Sequence, residues 1–343
     1  MMMKKTPHLS ALAILAASVA MPAMAQETLT ISVYALAQDA YKAALYDPFE
    51  KLCGCKLVIE TGNSVERMAK IEANAADPVI DVAVISAHDA LALARKDLIA
   101  DLDISKISSY DALYPAAQDP IGGHKALGYT FYASSIVYRS DLVKIESWGD
   151  LLGNAVKGRV ALPNITGTQG PLTLDMINRA AGRSGVDFTQ TINDVATHAD
   201  DIVTFYSRSS ELVQLMNQEE VIAAPVGRFA WGSFAKSNLP FAWAEPKEGQ
   251  AGGMNVILMT KGNGNEDLAY KFIDYWLSDE VQTRVAEAKI DSPANKNVVV
   301  SDELAASLTY GAELINSLQI LAPADIIDNR DAWVEQWNNK VIK

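Results

Sequence analysis

The chain is 343 residues long and carries 29 Lys and Arg against 42 Asp and Glu, a formal net charge of −13. That balance argues against a nucleic-acid partner, because binding phosphates needs a basic footprint. The composition, 49% hydrophobic and 21% charged, is that of an ordinary globular protein, and the length supports two cored lobes.

Lys4 and Lys5 precede an apolar run from about Leu9 to Met21, and Ala23-Met-Ala25 follows. A positive start, an apolar middle and a small-residue cleavage site predict a secretory signal peptide, residues 1–25, cut before Gln26. The run is too short for a membrane anchor, and no cysteine stands at the cleavage site to take a lipid. No later stretch is long and apolar enough to span a bilayer. The expectation is a monomer, free in the periplasm and without membrane insertion.

Residues 29–33 alternate as a strand. Tyr34 and Gln38 then lead into a helix with Tyr41, Leu45, Phe49 and Leu52 on its apolar face. Cys53-Gly-Cys55 ends the helix, and residues 56–60 form the next strand, a parallel βαβ unit. Cys53 and Cys55, the only two cysteines, are disulfide candidates in an oxidising compartment. So tight a ring adds little stability, and a metal needs more ligands than this neighbourhood supplies.

Ser64 caps a helix with Met68 and Ile71 inward and Arg67 toward solvent. Residues 81–85 form a buried strand that ends at Ser86, with His88 at the start of the next helix. Strand ends that feed helix starts are where α/β lobes hold ligands. Residues 125–135 combine aromatic and small side chains, among them Phe131, Tyr132 and Ser134, and residues 136–138 continue as a strand.

A capped turn at Ser147 and a strand beginning at 157–162 follow. The polar loop Asn164-Ile-Thr166-Gly-Thr168 then precedes a helix over 171–181. Strand 203–205, helix 209–217 and strand 221–224 lead to Pro225-Val-Gly-Arg228. After a short strand at 239–244, Pro246 and Gly249 break the chain. Ala251, Gly252 and Gly253 allow bending and close approach, and residues 256–259 form a buried strand. Residues 265–289 are amphipathic at helical spacing through Leu268, Phe272, Ile273, Trp276, Val281 and Val285, which marks a core face. The tail from 301 reads as helical, with Trp333 and Trp337 one turn apart on one face.

No catalytic motif is present: no G-x-S-x-G, H-E-x-x-H, Walker loop, or G-x-G-x-x-G after a strand. The histidines are scattered singly. Neither an enzymatic activity nor a cofactor nor a metal is expected. The strand ends instead offer aromatic and hydrogen-bonding side chains: Tyr34, Gln38, Ser86, His88, Phe131, Tyr132, Ser134, Asn164, Thr166, Thr168, Arg228 and Asn255. Any one of them could simply satisfy local backbone. Together they predict a cleft for a small polar molecule.

Ser147-Trp-Gly-Asp-Leu151, the strand Lys157-Gly-Arg-Val-Ala-Leu-Pro163, Pro246-Lys-Glu-Gly249 and Ala269-Tyr-Lys-Phe-Ile273 occur in a telling order and spacing. In these elements the chain resembles the extracellular solute-binding proteins of ABC importers, family 1, in the spermidine/putrescine-binding branch. The resemblance covers essentially the whole chain after the signal peptide. It implies an α/β, two-lobed periplasmic-binding-protein fold of type II, with a ligand cleft between lobes joined by hinge crossings. Residues 26–130 plus 254–298 would form one lobe and 133–248 plus 302–343 the other, with hinges near 129–134, 249–255 and 294–300. It also implies an inner-membrane permease with its ATPase as partner.

The ligand of that branch does not carry over. Leu36, Asn164 and Asn255 stand where polyamine binders have carboxylates, and Val226 and Gly253 where they have tryptophans. Tyr34 and Phe131 keep the aromatic positions. Arg228 suits bidentate pairing with a carboxylate, unless a neighbouring Asp or Glu takes it. The expected ligand is a small carboxylate-bearing metabolite, an amino acid or ω-amino acid such as γ-aminobutyrate. Arg228 would clamp it. Asn164, Thr166, Thr168 and Ser134 would add polar contacts, and Tyr34, Phe131 and Tyr132 the wall. The alternatives are a polyamine binder whose carboxylates have moved, for example to Asp39 or Asp89, and an exported enzyme on the same fold.

Overall fold

Runs of Val, Ile and Thr favour a pleated, half-buried backbone, and they supply the frame. The computed structural model describes residues 26–35, 37–62 and 64–342, so the predicted signal peptide and Leu36 lie outside the described residues. Strand β1 (Thr28–Val33) leads through α1 (Gln38–Tyr41), a wide π turn (Lys42–Tyr46) and α2 (Asp47–Cys53) to β2 (Lys56–Thr61). Tyr41, Leu45 and Phe49 face inward as expected, but Leu52 is 70% exposed. The π turn takes up extra residues, so the apolar face drifts away from the core before α2 ends. Gly54 closes α2 with φ +66°, a conformation natural for glycine after a helix. The flanking Cys53 and Cys55 are bridged, with Cα atoms 5.1 Å apart.

Next come α3 (Ser64–Ala73), β3 (Val82–Ser86), α4 (Ala87–Arg95) and α5 (Pro115–Gln118). β4 (Leu127–Arg139) is one long strand. Beyond it lie β5 (Val160–Pro163), α6 (Gln169–Ala180), α7 (Thr189–Thr197), β6 (Ile202–Tyr206), α8 (Ser209–Asn217), β7 (Ala223–Gly227), α9 (Trp231–Ala235) and β8 (Phe241–Trp243). β9 (Ala251–Met259) returns. The stretch expected as one amphipathic helix is two, α10 (Glu266–Leu277) and α11 (Asp279–Glu287). They divide at Ser278, whose hydroxyl accepts from Val281 N and caps the second. β10 (Ser292–Pro293), α12 (Asp302–Ala305), α13 (Ala312–Ser317), β11 (Gln319–Ile320) and α14 (Pro323–Lys340) complete the chain.

The strands follow the order β2-β1-β3-β9-β4-β7-β5-β6. β1, β2 and β3 pair in parallel, as do β5, β6 and β7. The antiparallel pair β4 and β9 joins the two halves, β9 against β3 and β4 against β7. The expected crossings near 129–134 and 249–255 are therefore largely strand, with Tyr132 opposite Gly253 and Ser134 opposite Ala251.

The chain changes core within those two strands. Phe131 and Met254 pack with Leu29, Val84, Phe272 and Trp276, whereas Ile136 and Ala251 pack with Trp148, Phe188, Trp333 and Trp337. A smaller cluster around Val226, Leu212 and Phe234 extends the second lobe. Ile315 of α13 packs into the first core, although residues 302–343 were expected in the second lobe. Each large side chain sealed in this way stabilises the fold by roughly 1.5–3 kcal/mol of apolar burial. The result is a two-lobed α/β fold whose strand ends face one another.

Candidate ligand-binding site

The parallel strands of the first lobe carry the candidate site at their C-terminal ends. Tyr34 follows β1, and Ser86 at the end of β3 pairs with Asn255 of β9. The Tyr34 hydroxyl lies 3.3 Å from Ser64 Oγ and donates to Asn255 Oδ1 at 3.4 Å. Burial raises the pKa of this phenol, and the charge of Arg67 works against that rise.

Arg67 departs most from expectation. On α3 it reads as a solvent-facing residue, yet it is only 3% exposed. Its guanidinium lies 4.1 Å from the Tyr34 ring centroid. Nη1 donates to the carbonyls of Ser32 and Val84, near the ends of β1 and β3. Among the described residues Nε and Nη2 are buried with no hydrogen-bond partner. Among the described residues no carboxylate pairs with Arg67. A buried cation with unmet donors is costly, and it is suited to an anion that brings its own acceptors.

Beside it, Ser86 caps α4 by accepting from Asp89 N at 3.3 Å. Its hydroxyl also donates to Asp89 Oδ2 at 2.7 Å and lies 3.2 Å from His88 Nε2. Burial lowers the His88 pKa below its ordinary value, while the Asp89 charge opposes the shift. The imidazole is therefore neutral at neutral pH. Asp89 is buried and meets Arg330 of α14, with Nη1 at 3.4 Å from Oδ1. Arg330 Nη2 donates to Thr166 O at 2.9 Å, which ties the first lobe to a loop of the second.

Tyr132 points across β9. A Cβ built on Gly253 would fall 2.2 Å from the Tyr132 hydroxyl, so the tyrosine occupies the space that any side chain at 253 would take. Burial raises the Tyr132 pKa, followed by the negative fields of Tyr34 and Asp89.

Other expected residues serve the fold. Phe131 is fully buried and stands edge-on to Tyr114 at 5.9 Å in the first core. Successive strand side chains point to opposite faces, so Phe131 cannot share a wall with Tyr132. The hydroxyl of Ser134 is buried, 2.5 Å from Gln169 Oε1 and 3.1 Å from Val226 O. Gln38 donates to Tyr34 O at 2.5 Å and accepts from Tyr46 at 3.5 Å. Asn164 Oδ1 accepts from Thr166 N and Oγ1 at 3.0 and 2.8 Å, a local turn. Thr166 is exposed, and Thr168 immediately precedes α6 without capping it. Arg228 donates to Ala306 O and lies over Trp243 at 4.7 Å and Trp231 at 5.5 Å. Burial lowers its pKa, and Glu245 counteracts that without forming an ion pair.

The residues brought together are thus Tyr34, Tyr132, Asn255, Ser86 and His88, joined by Ser64, Arg67, Asp89 and Arg330. Of the last four, Asp89 was read only as a carboxylate of the polyamine alternative, and Ser64, Arg67 and Arg330 were not read as site residues. Ser64 and Arg67 stand three apart on one helix face, and that spacing was the available signal. A cavity of about 310 Å³ lined by Lys70, Pro78, Leu98 and Lys261 lies at the other end of β3, away from this cluster. Among the described residues no group of three or more His, Cys, Asp or Glu could hold a metal ion. No described helix is long and apolar enough to cross a membrane.

Residues 44–310 match the family model described as bacterial extracellular solute-binding protein. The chain is 23% identical over 339 residues to the putrescine-binding periplasmic protein PotF of Escherichia coli strain K12, covering 92% of this chain and 88% of that one. A crystal structure of an ABC transporter from Clostridium perfringens superposes with a TM-score of 0.80 at 30% identity, over 91% of this chain and 99% of that chain. The structure of the Atu4243-GABA receptor superposes with a TM-score of 0.79 at 22% identity, over 92% of this chain and 98% of that one. The chain belongs to the bacterial extracellular solute-binding proteins, the substrate-binding component of ABC transporters, which bind and deliver a solute and are not enzymes.

Proposed function

We propose that this protein captures a small carboxylate-bearing metabolite, an amino acid or an ω-amino acid such as γ-aminobutyrate, and delivers it to an inner-membrane permease. The observation that carries this reading is the buried guanidinium of Arg67 beside Tyr34, with two nitrogens that lack hydrogen-bond partners among the described residues. Relatives are named for putrescine on one side and for GABA on the other, so the shared fold does not choose between them. The local charge favours the carboxylate. Arg67 would repel an ammonium group, and Asp89 is already held by Arg330. Asp39 is exposed on the first turn of α1.

In this reading Arg67 takes the clamping role first expected of Arg228, because Arg228 is engaged with Ala306 and two tryptophans. Tyr34, Tyr132 and Asn255 would border the carbon chain, and Asn164, Thr166 and Thr168 would close over it from the second lobe. Export would follow cleavage before Gln26, which N-terminal sequencing of the periplasmic protein checks: retention of residues 1–25 would contradict it.

Calorimetric titration with γ-aminobutyrate, a panel of amino acids, putrescine and spermidine tests the ligand class. Binding of a carboxylate that is lost in Arg67→Ala supports the proposal. Tight putrescine binding indifferent to Arg67, with no carboxylate bound, overturns it and favours a polyamine binder.

A further inference from the structure

Arg330 is fixed by its helix rather than free to swing. α14 is anchored in the second lobe by Trp333, stacked on Phe188 at 4.6 Å and donating to Val186 O at 3.1 Å, and by the buried Trp337. Beside it, Asp328 of the same helix pairs with Arg95 of α4. These contacts hold the Arg330 guanidinium over Asp89, whose side chain is 5% exposed while that of Arg330 is 29% exposed. Asp89 is the buried carboxylate of the cluster. Its Oδ2 accepts from Ser86 Oγ at 2.7 Å, and its Oδ1 lies 3.7 Å from His88 Nε2.

We propose that Arg330 is a specificity-determining residue: a tethered cation that occupies Asp89 and so denies this carboxylate to a diamine, a ligand that offers ammonium groups and no carboxylate for Arg67. A diamine entering the cleft would meet Arg67 with no carboxylate beside it among the described residues, and Asp89 already paired with Arg330. It would have no desolvated anion to exchange for its hydration. Removing Arg330 leaves Asp89 buried and uncompensated, and a mobile cation then gains by binding there. This inference rests on the carboxylate reading above, since it explains how a member of a family that includes putrescine binders would reject them.

The test titrates putrescine into wild type, Arg330→Gln, Arg330→Met and Arg330→Lys at pH 8, with cooperative thermal unfolding as the check on folding. Wild type and Arg330→Lys should bind putrescine weakly. The two neutral variants should bind it roughly tenfold or more tighter, the scale of removing one like-charge contact. The double variant Asp89→Asn/Arg330→Gln should lose that gain, and Arg67→Gln/Arg330→Gln should enlarge it. Folded neutral variants with wild-type putrescine affinity overturn the inference, even where carboxylate binding still depends on Arg67. Failure of both neutral variants to fold overturns it as well, because Arg330 would then be structural. Tight putrescine binding by wild type, indifferent to Arg67, is a different result and overturns the carboxylate reading itself.

Discussion

The two faces of the cleft share one scheme, in which parallel strands end in loops that start helices, but they finish it differently. On the first lobe, α3 brings Arg67 over the ends of β1 and β3, where two of its nitrogens are buried without hydrogen-bond partners among the described residues. On the second, Asn164 and Thr166 bond to one another, and Arg228 bonds to Ala306. A side chain whose donors are met locally gains little from a ligand, whereas a buried unmet donor regains a hydrogen bond on binding. The difference teaches that the first lobe should supply most of the affinity and the second lobe should cover it.

The sharpest way to break this comparison is to truncate both faces. Arg67→Ala should lower carboxylate affinity by roughly 2–5 kcal/mol, about thirtyfold to several thousandfold. Arg67→Lys should recover part of the loss, because an ammonium lacks the planar fork. Asn164→Ala should change affinity by less than about tenfold, a neutral hydrogen bond contributing about 1 kcal/mol. Equal losses from the two truncations, read by calorimetry, would remove the asymmetry.

The first lobe also carries a buried acid. Asp291 accepts from Tyr41, and burial pushes its pKa up to about 7. An unfolded aspartate titrates near 3.9. Between those values the folded protein keeps a proton that the unfolded chain has lost. The stability contributed by protonated Asp291 is therefore complete below about pH 4 and is lost as pH rises through about 7. The total is on the order of 4 kcal/mol. Asp291→Asn should flatten this part of the pH profile and raise Tm most near pH 8. A wild-type minus variant difference in Tm that stays constant from pH 4 to pH 8 would contradict it.

A smaller effect is expected on the second lobe. Arg228→Ala removes two cation–π contacts and a backbone hydrogen bond at a half-buried position. A loss of about 1 kcal/mol in denaturant-measured stability is expected, with ligand affinity changed much less than by Arg67→Ala. The smallest effect should come from reducing the Cys53–Cys55 bridge. It closes a very short loop, so denaturant-measured stability should fall by less than about 1 kcal/mol, with ligand binding retained.

Much of the architecture is legible in local pattern. Alternation at 29–33, the apolar run at 81–85 and the paired Trp333 and Trp337 report on neighbours within a few residues, where strand and helix periods operate. Gly253 was marked as a point of close approach, and Tyr132 is what approaches it. The same local logic placed Arg67 on a solvated face and Phe131 on a ligand wall. Whether a side chain is desolvated depends on which distant elements cover it. Arg67 is buried by Tyr34 and by carbonyls 35 and 17 residues away, and Asp89 meets an arginine 241 residues along the chain. The sequence by itself determined most of the elements and their order. Only the tertiary structure decided which charges are buried, which are already paired and which still lack a partner, because burial is a property of the assembled surface and not of any one segment.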